Sequence, residues 1–184
     1  EGQAVKALTQ LDRAEARFVG LGQPLVAAAI QVSRLHALAL SGAYDEAIIS
    51  GRAALALFLQ HGDHMAAGKI EQNLGSIYWR RGCYQEAEQL FRAARRHYLP
   101  TNDQQQLAQV NNCLGNILTL QYKFHAAEAC YKQAVRAAAS AGIEVTQAEI
   151  ECNLGSLALA QGRYDQALDY LERSRRRYAV LGMP

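Results

Sequence analysis

Proline is scarce in this chain, with three among 184 residues. Alanine and leucine are abundant, and that combination favours helix. Charge of one sign is also missing. A net charge of +2 with 20% charged residues leaves no strong field, so neither nucleic acid nor a membrane surface is expected as a partner. No apolar run reads as long enough to span a bilayer. No charged, apolar and cleavage regions mark a signal peptide. The four cysteines, Cys83, Cys113, Cys130 and Cys152, show no C-x-x-C spacing. They read as free thiols of a reducing cytosol, so a cytoplasmic location is expected. The histidines form no H-E-x-x-H. His61-Gly-Asp-His64 looks like a ligand cluster, but it falls at a turn between helices, and no metal is expected there. Gly62 to Lys69 lacks the spacing, the following Ser or Thr and the preceding strand of a phosphate loop. No nucleophile, base and orienter stand at readable spacing. No catalytic residue and no cofactor are therefore expected, and the chain does not read as an enzyme. It opens on Glu1 and not on Met, so it is expected to be a fragment of a larger protein.

What is present is a repeat. Residues 42–47 read Gly-Ala-Tyr-Asp-Glu-Ala, 82–87 Gly-Cys-Tyr-Gln-Glu-Ala and 162–167 Gly-Arg-Tyr-Asp-Gln-Ala, with Tyr-Lys-Phe-His-Ala-Ala at 122–127. The spacing is 40 residues, which indicates an array and not one globular fold. Ala47, Ala87, Ala127 and Ala167 form one column. Tyr44, Tyr84, Phe124 and Tyr164 form an aromatic one. Ile30, Ile70, Val110 and Ile150 form a branched one. Ala54, Ala94, Ala134 and Ser174 keep small residues where two helices can approach.

Within a unit, Ile70, Leu74, Ile77 and Tyr78 follow helical spacing, as do Tyr84, Ala87, Phe91 and Ala94. Each unit is thus two helices joined by a short turn. Helices are expected over 3–20, 24–41, 64–81, 104–121 and 144–161, alternating with 44–60, 84–99, 124–140 and 164–181. Gly42, Gly82 and Gly162 suit a left-handed residue at the first helix's end. Tyr122 takes that slot in the third repeat, so its turn is expected to be strained or differently shaped. Gly22, Gly62, Gly142 and Gly182 mark the second turn, with Asn102 in the remaining slot. One array over residues 1–184 is expected: a half repeat 1–22 and full repeats 24–62, 64–102, 104–142 and 144–182.

Leu74, Gly75, Tyr78, Gly82, Tyr84, Ala87, Phe91 and Ala94 resemble the tetratricopeptide repeat. Weaker copies cover nearly the whole chain. The family's usual period is about 34 residues. A longer period is similar to the arrays of kinesin light chains and bacterial signalling regulators. The first repeat departs from the pattern, because Arg34-Leu35 replaces Leu-Gly, which puts its internal packing in question. The resemblance implies an all-α, right-handed superhelical solenoid that binds a protein or peptide in its concave groove. Glu151-Cys152-Asn153-Leu154-Gly155, with the segment from Leu171 to Tyr178, also looks like arrays that precede bacterial CHAT domains. That gives the alternative of a structural or regulatory arm in a larger, CHAT-linked signalling protein.

The same resemblance places the first helix of each pair on the groove. It assigns Lys69, Gln72, Asn73, Ser76, Trp79 and Arg80 to that face in the second repeat. In the third it assigns Gln109, Asn112, Cys113, Asn116 and Thr119, and in the fourth Glu149, Cys152, Asn153, Ser156 and Leu159. In the first it assigns Ala29, Val32, Ser33, His36 and Leu40. An Asn side chain offers a donor and an acceptor, so Asn73, Asn112, Asn116 and Asn153 are candidates to hold a peptide backbone. Trp79 reads as an anchor or, in preference, as packing against a neighbouring first helix. The slots of the family's clamp for a C-terminal carboxylate hold Val32, His36, Asn73, Gln109 and Cys113, so that clamp is absent. The peptide-binding set is therefore Lys69, Gln72, Asn73, Ser76, Trp79, Arg80, Gln109, Asn112, Asn116, Asn153 and Ser156. The terminal helices, with Val5, Leu8, Leu11 and Phe18 at one end and Tyr164, Leu168, Leu171 and Tyr178 at the other, are expected to expose apolar surface and to self-associate end to end.

Overall fold

The computed structural model describes the backbone of residues 2–183 and the side chains of residues 6–183. Among the described residues it holds nine α-helices and no strand. They are α1 Gly2–Gly20, α2 Pro24–Ser41, α3 Tyr44–Gln60, α4 His64–Arg80, α5 Tyr84–Tyr98, α6 Gln104–Leu120, α7 Phe124–Ser140, α8 Glu144–Ala160 and α9 Tyr164–Val180. Each boundary falls within one residue of the expected one, because the turn chemistry is local. Asp63 accepts from Ala66 N at 3.0 Å and Asp103 from Gln106 N at 3.0 Å, so each caps the helix that follows. At the other end of α4, Cys83 N donates to Tyr78 O and Gly82 N to Trp79 O, both at 2.9 Å. Every inter-helix turn carries one left-handed residue. Two of these are not glycine: Asn102 at φ 53° and Tyr122 at φ 60°. The Tyr122 turn therefore keeps the shape of its glycine counterparts, and the backbone carries the strain.

The chain packs as two compact units, residues 1–97 and 98–184. In the first, α2 packs against α1, α3 and α4. Leu35, Leu38, Phe58, Ile70, Leu74 and Ile77 form its centre. Ala47 and Ala67 are fully buried beside them. The first repeat, whose Arg34-Leu35 departs from the pattern, still buries Leu35, Leu38, Ala47 and Phe58. At Gly75 a Cβ would meet the Phe91 ring at 2.8 Å, so glycine is needed there to admit the ring. One period earlier the sizes are exchanged: Leu35 takes the glycine's place and Gly51 takes the ring's. A Cβ on Gly51 would sit 2.8 Å from the Leu74 side chain and 3.0 Å from that of Leu35.

In the second unit α6 packs on α7 and α8, and α8 on α9. Leu114, Ile117, Leu118, Ile150, Leu154 and Leu157 are buried, as are Ala127, Ala134 and Ala167. Ser174 holds the small column's last place. Its hydroxyl is satisfied by donating to Ala148 O at 2.8 Å.

Three expectations change. The branched column is not uniform, since Ile30 is only half-buried while Ile70, Val110 and Ile150 are enclosed. By length and composition alone α2 could cross a membrane, at 18 residues and mean hydropathy 1.3. It packs against α1, α3 and α4, with a third of its length buried. Nor are the ends uniformly bare. Leu8, Leu11 and Phe18 are half-buried, as are Leu171 and Tyr178, whereas Tyr164 and Leu168 are exposed. Val5 lies outside the described side chains.

Candidate binding faces on the first helices

In the first unit, α2 and α4 bring part of the expected set together. A cavity of about 150 Å³ is lined by Leu35, His36, Ala39, Leu40, Asn73, Ser76 and Arg80. Its polar groups are Asn73, Ser76, Arg80 and His36, and its remaining wall is apolar. Asn73 Nδ2 donates to Val32 O at 3.0 Å, which leaves its Oδ1 as an acceptor. Ser76 Oγ donates to Gln72 O at 3.1 Å. Lys69, Gln72 and Trp79 do not line this cavity. Lys69 is exposed, and Gln72 and Trp79 are half-buried. Glu71 is the one acidic residue on α2 or α4, and it is buried. The exposed charge of these two helices is thus cationic, from Lys69 and Arg80.

In the second unit, α6 and α8 place Asn112 and Asn153 in contact: Asn153 Nδ2 donates to Asn112 Oδ1 at 3.0 Å. Asn116 Oδ1 accepts from the Tyr131 hydroxyl at 2.7 Å. Ser156 Oγ donates to Cys152 O at 3.1 Å. Gln109 is exposed. Each amide of the expected ladder therefore spends part of its hydrogen-bonding capacity inside the protein. A peptide could use only what remains. Burial pushes the Cys113 thiol up to about 12, which suits a packing residue and not a nucleophile.

A buried polar column escaped the sequence analysis. Gln31, Glu71, Asn111 and Glu151 stand one period apart, and all four are enclosed. The signal was the 40-residue register itself, with a polar residue where a core position is flanked by Ile or Val. For Glu71 and Glu151 the partner comes from the second helix. His97 Nε2 lies 3.5 Å from Glu71 Oε2, and the His97 ring stacks on His64 with centroids 5.2 Å apart. Glu151 receives Arg177 Nε at 3.0 Å and Arg173 at 3.4 Å, and Arg177 also pairs with Glu144. His64, Glu71 and His97 in the first unit thus occupy the register positions of Glu144, Glu151 and Arg177 in the second. Burial raises the Glu71 carboxyl to about 7, with Arg96 acting against the rise. Burial lowers His97, helped by the charges of His64 and Arg96. Among the described residues no three His, Cys, Asp or Glu side chains are placed to hold a metal ion.

Two family models match this sequence, each described as a tetratricopeptide repeat, over residues 106–179 and 72–96. The chain carries tetratricopeptide repeats. The fold is likewise that of solved helical-repeat proteins. BtubC (BKLC) from P. vanneervenii superposes with TM-score 0.84 at 19% identity, over 99% of this chain and 76% of that one. The apo form of RapI gives 0.85 at 12% identity, over 97% of this chain and 50% of its own. The Rap conjugation gene regulator of plasmid pLS20, solved in complex with the Phr* peptide, gives 0.73 at 18%, over 98% and 59%. The chain therefore spans about half the length of the two Rap proteins. At these identities the likeness shows the all-α repeat fold. No curated protein matches the chain in sequence.

Proposed function

We propose that this chain is a protein- or peptide-binding scaffold, without a chemical step of its own, that holds an extended segment along the exposed faces of its first helices. The observation that carries this reading is the cavity between α2 and α4. There Arg80, His36, Ser76 and the free Oδ1 of Asn73 surround an apolar wall large enough for one side chain. A peptide N–H can donate to Asn73 Oδ1 while an acidic group meets Arg80. The uncompensated charge of Lys69 and Arg80 favours an acidic segment. The peptide complex of the pLS20 Rap protein, on a like fold, supports the same use of the repeats. The free thiols fit a cytoplasmic setting. The alternative, a regulatory arm of a CHAT-linked protein, rests on the sequence resemblance alone.

The test is a peptide array read with the parent chain and with Arg80→Glu. Acidic peptides should bind the parent, and the variant should lose about tenfold or more in affinity. Equal binding of both proteins to every captured peptide would remove the cavity from the site.

A further inference from the structure

Gln31 has the burial of Glu71 and Glu151 but not their partner. It is 5% exposed, and its Oε1 makes no hydrogen bond. In the two repeats where the column is charged, the second helix brings a nitrogen toward it: Arg177 Nε donates to Glu151 at 3.0 Å, and His97 Nε2 approaches Glu71 Oε2 to 3.5 Å without a hydrogen bond. At that register position the first repeat has Leu57, which can donate nothing. The place of His64 and Glu144 is likewise taken by Pro24. The space so vacated is a hollow of about 390 Å³ between α1, α2 and α3, and Gln31, Pro24 and Leu57 line it. A buried acceptor without a donor is destabilising, so the hollow favours whatever supplies one.

The rest of the lining defines the ligand. Ala27, Ala28, Ala53 and Ala54 give it apolar walls, and Glu15 and Ser50 add oxygen acceptors. Arg34 also lines it, but its guanidinium is already held by Asp12 at 3.0 Å and Glu46 at 2.7 Å. Among the described residues, Glu15 is then the charged group of this lining that has no ion pair. We propose that this hollow binds an aliphatic cation, a guanidinium or ammonium group on a short carbon stem, with the nitrogen pairing with Glu15 and donating to Gln31 Oε1 once the Gln31 amide turns toward it, and the stem lying on the alanine walls. The ligand would do from outside what Arg177 does from within the second unit. The site shares no lining residue with the cavity between α2 and α4 and does not depend on a peptide being held there.

The test uses the ¹⁵N-labelled chain titrated with n-butylguanidinium, with Nα-acetylarginine amide and with pentan-1-ol. Saturable shifts at the amides of Ala27, Ala28, Ala53 and Ala54 are expected with a cationic probe, at affinity about tenfold or more above that for the alcohol. Tighter binding of the acetylarginine amide would mark the source as a peptide side chain, and tighter binding of butylguanidinium a free small molecule. Gln31→Leu and Glu15→Gln should each weaken the cation, and Leu57→Arg should close the site from inside. Overturning results are saturation by the alcohol at equal affinity, no saturation by either cation, or undiminished cation binding by folded Gln31→Leu.

Discussion

Leu35 fills the space that faces Gly51, with both residues buried. In the next repeat the same contact is made in reverse, with the Phe91 ring lying on Gly75. The pair is complementary in size, so its members should couple. Gly51→Phe alone should overpack the site and cost about 1–3 kcal/mol. Combined with Leu35→Gly, it should lose clearly less than the sum of the two single changes, by about 1 kcal/mol or more. Denaturant unfolding of the two single variants and the double variant measures this. Strict additivity would show that the two positions do not share one space.

Tyr122 holds a left-handed backbone with an exposed side chain whose ring meets that of Phe124 edge-on, with centroids 6.0 Å apart. Tyr122→Gly should remove the strain while losing little packing. A net gain of roughly 0.5–1 kcal/mol is expected after the entropy cost of glycine. A lower melting temperature would mean that the Phe124 contact outweighs the backbone.

Glu71 and His97 respond to pH in opposite senses. The carboxyl's pKa is raised in the folded state, from 4.5 to about 7. Its contribution to stability is therefore fully present below pH 4.5 and is lost as pH rises through about 7. The lowered imidazole favours its neutral form, so its contribution is lost as pH falls below the usual histidine range. Glu71→Gln imitates the protonated acid. It should be near neutral at about pH 4.5 and stabilising by about 1–3 kcal/mol at about pH 8. Destabilisation at the higher pH would show that the contact with His97 outweighs the burial of the charge.

On α9, Tyr164 and Leu168 stand 71% and 60% exposed. An apolar helix face of this kind promotes weak association. Sedimentation of this chain at high concentration should show self-association that Leu168→Lys reduces. A monomeric parent would show that the face is tolerated in water.

The helix boundaries, the turn positions and the alanine columns were legible in the sequence. They depend on local backbone preference and on which positions recur every 40 residues. The register placed Asn102 at positive φ, and it left the Tyr122 turn open between strain and a different shape; the backbone there is left-handed as well. The fate of the polar side chains was not legible, because their partners lie far along the chain. Asn73 meets Val32 and Asn153 meets Asn112 across 41 residues, and Arg177 meets Glu151 across 26. A sequence shows that an amide or a carboxylate stands on a helix, but not whether a neighbouring helix approaches closely enough to take its hydrogen bond. Packing made that choice. It drew the asparagines partly inward, gave Glu71 a histidine and Glu151 two arginines, and left Gln31 facing a hollow because leucine stands where a donor would be.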